Sequence, residues 1–218
     1  MRRLLVGLIL LLLFSTYNLQ GYFNINSKLN LKKILIENNN IVDEKIIKKK
    51  LLYLYNSNLF YLDSKKIKNQ LMEIKFIESF RIKKIFPNTI RIKIFEKKPI
   101  AILHYRKNKK YITDKGDLID FVFINQFRNL PTVFGDKKSF KIFYIDLQRI
   151  DFPINEIKTF YLFESKRWDL LTFNEKLIKL PVKNYEKSLE NFLNIKDQEN
   201  FEKYKIFDYR INDQLILK

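Results

Sequence analysis

The sequence predicts an α+β fold: an apolar amino-terminal segment, then a β-α-α-β-β unit, then a mixed β-rich unit with one or two helices. Three observations predict it. Leu4 to Phe14 carry no polar residue and follow Arg2 and Arg3. Between Leu31 and Phe95 the apolar residues recur with period two, then with helical spacing, then with period two again. After Pro99 the chain consists mostly of short period-two runs separated by basic or Asp-Lys-Gly turns.

The Leu4–Phe14 run has the length of a signal-peptide core. Continued to Phe23 it is twenty residues, about 30 Å as a helix, enough to cross a bilayer. Tyr17, Tyr22 and Phe23 then fall at the far interface. No A-x-A-like cleavage site follows, so residues 1–23 are expected to form an uncleaved membrane anchor. Arg2, Arg3 and the terminal amine place the amino end in the cytoplasm, while Lys28, Lys32 and Lys33 pull the other way.

Leu31 to Ile36 reads as a strand, and Asn38-Asn39-Asn40 as a turn, because asparagine tolerates positive φ. Asp43 and Glu44 open a helix to about Tyr55 with Ile47, Leu51 and Leu54 on its apolar face. Asn58 to Leu62 is read as an extended link. Asp63 caps a second helix whose buried side is Ile67, Leu71 and Ile74. Strands follow over Phe80–Phe86 and Thr89–Phe95, joined at Pro87-Asn88. The two helices pack on one face of a three-stranded sheet, since neither is stable alone at such length.

The β-rich part begins at residue 99. Strands are expected over Ile100–Tyr105, Tyr111–Thr113, Leu118–Phe123, Ile157–Phe163, Trp168–Phe173 and Lys176–Leu180, with a break at Leu130-Pro131. Ser139 to Ile150 fits helix or strand and is read as helix. Asn184 to Ile195 reads as a helix with Leu189, Phe192 and Leu193 inward. Lys205–Arg210 and Gln214–Leu217 close the chain as strands. The organisation is therefore an anchor (1–23), a first unit (24–98) and a second unit (99–218).

The formal charge is +18, from 42 basic and 24 acidic residues, but 33 of the basic residues are lysine and 9 arginine. The lysines are spread beside apolar residues. That reads as a solvated surface, where nucleic-acid sites cluster arginine with glycine-rich or aromatic platforms. Attraction to anionic headgroups or cell-wall polymer stays open. There is no cysteine, hence no disulfide and no thiol nucleophile. His104, the single histidine, lies in a strand away from any serine nucleophile and reads as structural. Asp114, Asp117 and Asp120 in "DKGDLID" lack the calcium-loop spacing, and a hairpin turn at Lys115-Gly116 accounts for two of them. No hydrolase elbow, zinc helix, Walker loop or dinucleotide fingerprint is present. The residues point to a binding or scaffolding protein with no cofactor, no metal, no small-molecule substrate and no enzymatic chemistry.

Six segments in order carry a resemblance. They are "NLFYLD" (58–63), "FPNTIRIKIFEKKPIA" (86–101), "YITDKGDLI" (111–119), "LPTVFG" (130–135), "RWDLLTFNEKLIKLP" (167–181) and "IFDYR" (206–210). Together they resemble the FtsQ/DivIB family of bacterial cell-division proteins, over nearly the whole chain. The resemblance implies a single transmembrane helix, a POTRA domain (β-α-α-β-β) and a second β-rich domain. Three departures stand out: the glycine after the first strand is Asn38, a proline before the third POTRA element is Lys75, and the glycine of an L-x-x-G turn is Glu175. On the anchor reading the expected cytoplasmic tail is Met1-Arg2-Arg3.

The family implies a non-enzymatic divisome scaffold at the septum of the bacterial inner membrane. It holds FtsB-like and FtsL-like single-pass partners outside the membrane and so helps control septal peptidoglycan synthesis. The physical route expected here is strand addition at the last strand, which offers unpaired backbone groups at an edge. Partner-binding residues on this reading are Ile211, Gln214, Leu215, Ile216, Leu217 and Lys218, with Leu215 and Leu217 on one side and Ile216 on the other. Arg210, and secondarily Arg167, are expected to meet an acidic partner residue. The alternative is an edge whose hydrophobes all face the core. Glu96, Lys97 and Pro99 are read as the domain joint, with Glu96 meeting a basic residue and Pro99 ending a sheet segment. Two other functions stay open: a POTRA-type adaptor of unknown pathway, and a secreted basic nucleic-acid binder with steep salt dependence.

Overall fold

Ile90, Ile92 and Ile94 are fully buried along one strand and organise the first unit. The computed structural model describes residues 6–7, 29–105, 108–211 and 214–218. Apart from Val6 and Gly7, the anchor predicted over residues 1–23 lies outside the described residues. Among those described, no helix is long and apolar enough to cross a membrane. The architecture is α+β. The chain divides into two units between Glu96 and Lys97, two residues before the expected boundary.

The first unit runs β1 (Lys33–Glu37), α1 (Glu44–Lys50), α2 (Ser64–Met72), β2 (Ile77–Ile85) and β3 (Thr89–Glu96). The sheet order is β1-β3-β2, with β1 parallel and β2 antiparallel to the central β3. Asp43 and Asp63 cap the two helices, accepting from Lys45 N–H and from Lys65 and Lys66 N–H respectively. Lysines 48 to 50 suit the carbonyl end of α1. That helix stops at Leu51, earlier than expected, and Leu52–Leu54 turn as a 3-10 helix. The link expected to be extended is also a 3-10 turn, Leu59–Tyr61, capped by Asn58 Oδ1. The turn drops Leu59 into the core at zero exposure. Ile74, expected inside the second helix, lies past its end and is half-buried.

The second unit runs β4 (Pro99–Tyr105), β5 (Asn108–Thr113), β6 (Leu118–Asp120), β7 (Thr132–Phe134), α3 (Lys137–Arg149), β8 (Ile157–Leu162), β9 (Trp168–Thr172), β10 (Leu177–Lys179), α4 (Tyr185–Ile195), α5 (Glu199–Glu202), β11 (Ile206–Asp208) and β12 (Ile216–Leu217). These strands form one sheet in the order β12-β11-β10-β9-β8-β7-β4-β5-β6. Register places Leu103, Val133, Phe160, Leu170, Ile178, Phe207 and Leu217 side by side across seven strands. This apolar row packs with Phe140, Phe143 and Leu147 of α3 and Leu189 and Phe192 of α4. The next row, on the opposite face, is His104, Phe134, Tyr161, Asp169, Lys179, Asp208 and Ile216.

Ser139–Ile150, ambiguous by period, lies within helix apart from the C-cap Ile150. Asp136 caps it through Ser139 N–H and Oγ. Strand β7 and the single turn α5 were not expected. Three residues are too short to display a period, and β7 is held by parallel pairing to both β4 and β8. Gly135 follows it because a Cβ there would fall 2.8 Å from Leu162 Cβ. Gly116 closes the β5–β6 hairpin at φ +82°, donating to Thr113 O at 2.8 Å.

Candidate partner-binding edge

β12 is the outermost strand of the nine-stranded sheet and pairs antiparallel with β11 on one side. Lys218 N–H donates to Ile206 O at 3.1 Å, and Ile206 N–H donates to Lys218 O at 3.0 Å. An antiparallel ladder alternates bonded and non-bonded pairs. Ile216 therefore bonds inward to Asp208, and Leu217 turns its N–H and C=O outward, away from β11. Leu215 and Leu217 pack their side chains against the core cluster, and Ile216 is 39% exposed on the opposite face. Gln214 and Lys218 are exposed. The expected strand Gln214–Leu217 is shorter here, because Gln214 N–H closes a turn onto Ile211 O at 3.2 Å. Ile211 itself is exposed.

Arg210 and Arg167 each hold an aspartate of their own chain. Arg210 Nε donates to both oxygens of Asp208 (2.8 and 3.0 Å), and its Nη2 donates to Oδ2 at 2.6 Å. Arg167 Nε donates to Asp169 Oδ1 at 3.1 Å while its guanidinium lies 4.3 Å from the centre of the Phe163 ring. Lys179 sits between the two carboxylates in register, opposite Asp169 on β9 and Asp208 on β11. A guanidinium has five donors, so each arginine keeps N–H groups for an incoming carboxylate. Hydrogen bonding from Arg210 holds the Asp208 carboxyl below its ordinary value, against the effect of burial. Burial dominates at Asp169 and pushes its carboxyl up, opposed by Arg167, Lys179 and Arg210.

Beside this edge lies a mainly polar cleft of about 330 Å³, lined among others by Lys183, Asn184, Lys187, Asn191, Ile211 and Leu215. Reading the sequence missed Asp169, Asp208 and the two cleft lysines. The spacing R-x-D and D-x-R on strands was a usable signal, because residues two apart share a face.

The joint residues do something different from the expectation. Glu96 accepts from three consecutive backbone amides in place of a basic side chain: Asn40 N–H (3.0 Å), Ile41 N–H (3.0 Å) and Val42 N–H (2.8 Å). It thus pins the β1–α1 loop, in which Asn38 adopts φ +64°. Lys97 is half-buried. Pro99 is buried and begins β4, opposite Thr113. His104 is half-buried 4.8 Å from the Phe134 ring, and burial and then Lys109 lower its pKa.

The family description "POTRA domain, FtsQ-type" matches residues 29–97. "Cell division protein FtsQ" of Rickettsia typhi is 30% identical over 200 residues, covering 89% of this chain and 75% of that protein. The protein of the same name from Rickettsia bellii is 31% identical over 184 residues, covering 83% and 68%. The major extracytoplasmic domain of the division protein DivIB from Geobacillus stearothermophilus aligns over 45% of this chain and 89% of that one, at 9% identity and a TM-score of 0.32. At the identity and coverage of the rickettsial proteins, this chain belongs to the FtsQ family, and its role is in cell division.

Proposed function

We propose that the protein is a single-pass scaffold of the bacterial divisome, with residues 1–23 in the inner membrane, the amino end cytoplasmic and both units outside. Its partners are FtsB-like and FtsL-like proteins, and through them it acts on septal peptidoglycan synthesis. The observation that carries this reading is the outward backbone of Leu217 on the edge strand β12. A partner strand adds there through main-chain hydrogen bonds. Ile216 offers side-chain contact on one face, and an acidic partner residue takes the spare donors of Arg210 and Arg167.

The geometry selects the variant that tests it. Ile216→Pro removes a bond to β11 and perturbs the fold, whereas Leu217→Pro keeps the bonds to β11 and removes the outward N–H, with Leu217→Ala as the control for the lost core contact. The full chain in nanodiscs is titrated with the extracytoplasmic segment of the FtsB-like protein, with and without its FtsL-like partner. Binding that weakens at least tenfold in Leu217→Pro, with unchanged circular dichroism, is the expected result. Equal affinity for wild type and Leu217→Pro sinks strand addition, and no binding to either partner sinks the scaffold reading.

A further inference from the structure

The open face of the first sheet has an unusual charge pattern. Register sets Lys83 of β2 opposite Arg91 of β3, and Arg81 opposite Lys93. Like charges directly opposite on one face destabilise a sheet. Lys33 of β1 lies on the same face, beside Thr89. β1 adds one carboxylate to this face, Glu37, opposite Lys93 in register. It approaches Arg91 Nε at 3.0 Å as a charge contact, without hydrogen-bond alignment. Arg81, Lys83, Lys93 and Lys33 have no carboxylate within ion-pair distance among the described residues, and all four are exposed. Phe95, opposite Ser79 on the same face, has the charged groups of Arg81 and Lys93 at 5.3 and 5.9 Å from its ring centre.

We infer that this face docks on anionic lipid headgroups. The inference rests on the anchor reading above. Nine residues lie between Phe23 and Lys33, at most about 35 Å of chain, so the face is tethered within reach of the bilayer surface. Two adjacent like-charge pairs cost stability in free solution, and a layer of anionic headgroups removes that cost. Long lysine and arginine side chains around one aromatic ring suit a flat anionic surface. Each cation near such a surface contributes about fivefold in partitioning, so three together contribute roughly a hundredfold.

The chain lacks cysteine, so Ser79→Cys on this face and Met72→Cys at the end of α2 each provide one labelling position. The labelled full chain is placed in nanodiscs of phosphatidylcholine, or of phosphatidylcholine with phosphatidylglycerol, carrying a headgroup quencher. The expected result has three parts. Quenching at position 79 rises several-fold with phosphatidylglycerol, and it falls at about 0.5 M salt, where charges are screened within a few ångströms. It is lost in Arg81→Glu/Lys83→Glu/Lys93→Glu and weakened in the matching glutamine variant, and the label at position 72 does not respond. Equal quenching in both lipids, or a rise that survives charge reversal in a folded protein, overturns the inference. A chain that fails to enter nanodiscs speaks against the anchor alone. The face is then read by flotation of the same protein with vesicles of the two compositions: anionic-selective binding lost on charge reversal supports it, and no selectivity overturns it.

Discussion

The two sheets dispose of the same lysine-rich composition in opposite ways. Across β9, β10 and β11 the signs alternate as Asp169, Lys179 and Asp208, with Arg167 and Arg210 closing the ends. Across β2 and β3 they coincide, Arg81 on Lys93 and Lys83 on Arg91. The named groups carry +1 over the first row and, with Lys33 and Glu37, +4 over the second face, and cross-strand register decides whether opposite or like charges meet. The first arrangement saturates itself and leaves only spare arginine donors at an edge. The second leaves a field to be answered from outside. The cores differ as well. The first unit is filled by Ile34, Ile47, Leu51, Ile67, Leu71, Ile90, Ile92 and Ile94, and the second by Phe140, Phe143, Phe160, Trp168, Phe192 and Phe207.

That contrast can be broken most forcibly at Phe143. Its ring stacks on Trp168 at 4.9 Å and meets Phe160 and Tyr185 edge-on. Phe143→Ala is expected to cost the second unit about 3–5 kcal/mol. Trp168 is the only tryptophan, so its fluorescence follows that unit alone while far-ultraviolet circular dichroism follows both. A fluorescence midpoint that stays put would show that the aromatic cluster does not carry the unit. Glu96→Ala addresses the other side of the comparison. It removes the acceptor of the exposed Asn40 amide and of the part-buried Ile41 and Val42 amides, and is expected to cost the first unit roughly 1.5–3 kcal/mol, with Glu96→Gln in between. Trp168 fluorescence should not move, and a shift there would mean the units unfold together.

The alternating row predicts two opposed pH responses. Asp208 has a depressed folded pKa, so it stabilises above the ordinary carboxylate value near 4, and that stability is lost as pH falls through the folded value. Asp169 has a raised folded pKa, so the folded state holds its proton more tightly than the unfolded chain. Its contribution falls as pH rises from the ordinary value through the folded one. Asp208→Asn should flatten the acid limb of the stability profile and Asp169→Asn should steepen it, by denaturant unfolding between about pH 3 and 6. Slopes that change in the same direction would refute the opposition.

Much of this fold was legible where local chemistry and period agreed. Asp43 and Asp63 cap, Ile90 to Ile94 alternate, and the β-α-α-β-β order follows. Legibility failed where segments were shorter than a period. Leu59–Tyr61 and Thr132–Phe134 have three residues each, and only tertiary burial or pairing gives them shape. That β12 is an edge follows from its pairing with β11 alone among the described strands. The aspartate partners of Arg167 and Arg210 were visible at spacing two and were passed over. The charge pairing on the first sheet was not readable, because Arg81 and Lys93 meet only once the register of β2 on β3 is fixed.

The smallest expected effects lie at two loop positions, one in each unit. Asn38 and Glu175, two positions where the FtsQ/DivIB resemblance implies glycine, both adopt left-handed backbone, at φ +64° and +61°. A side chain with a Cβ costs about 1–2 kcal/mol in that region, less for asparagine, whose short amide bonds locally. Asn39 Nδ2 and Glu96 already brace the first turn from either side. In the second turn, Glu175 N–H donates to Thr172 O and Lys176 N–H to Thr172 Oγ1. Glu175→Gly should therefore raise the Trp168-reported stability by about 1 kcal/mol, offset in part by the greater freedom of glycine in the unfolded chain. Asn38→Gly should change the first unit by only a few tenths of a kcal/mol. If the two substitutions gain equally, the asparagine carries as much strain as the glutamate, and bracing by Glu96 is what lets the first turn persist without glycine.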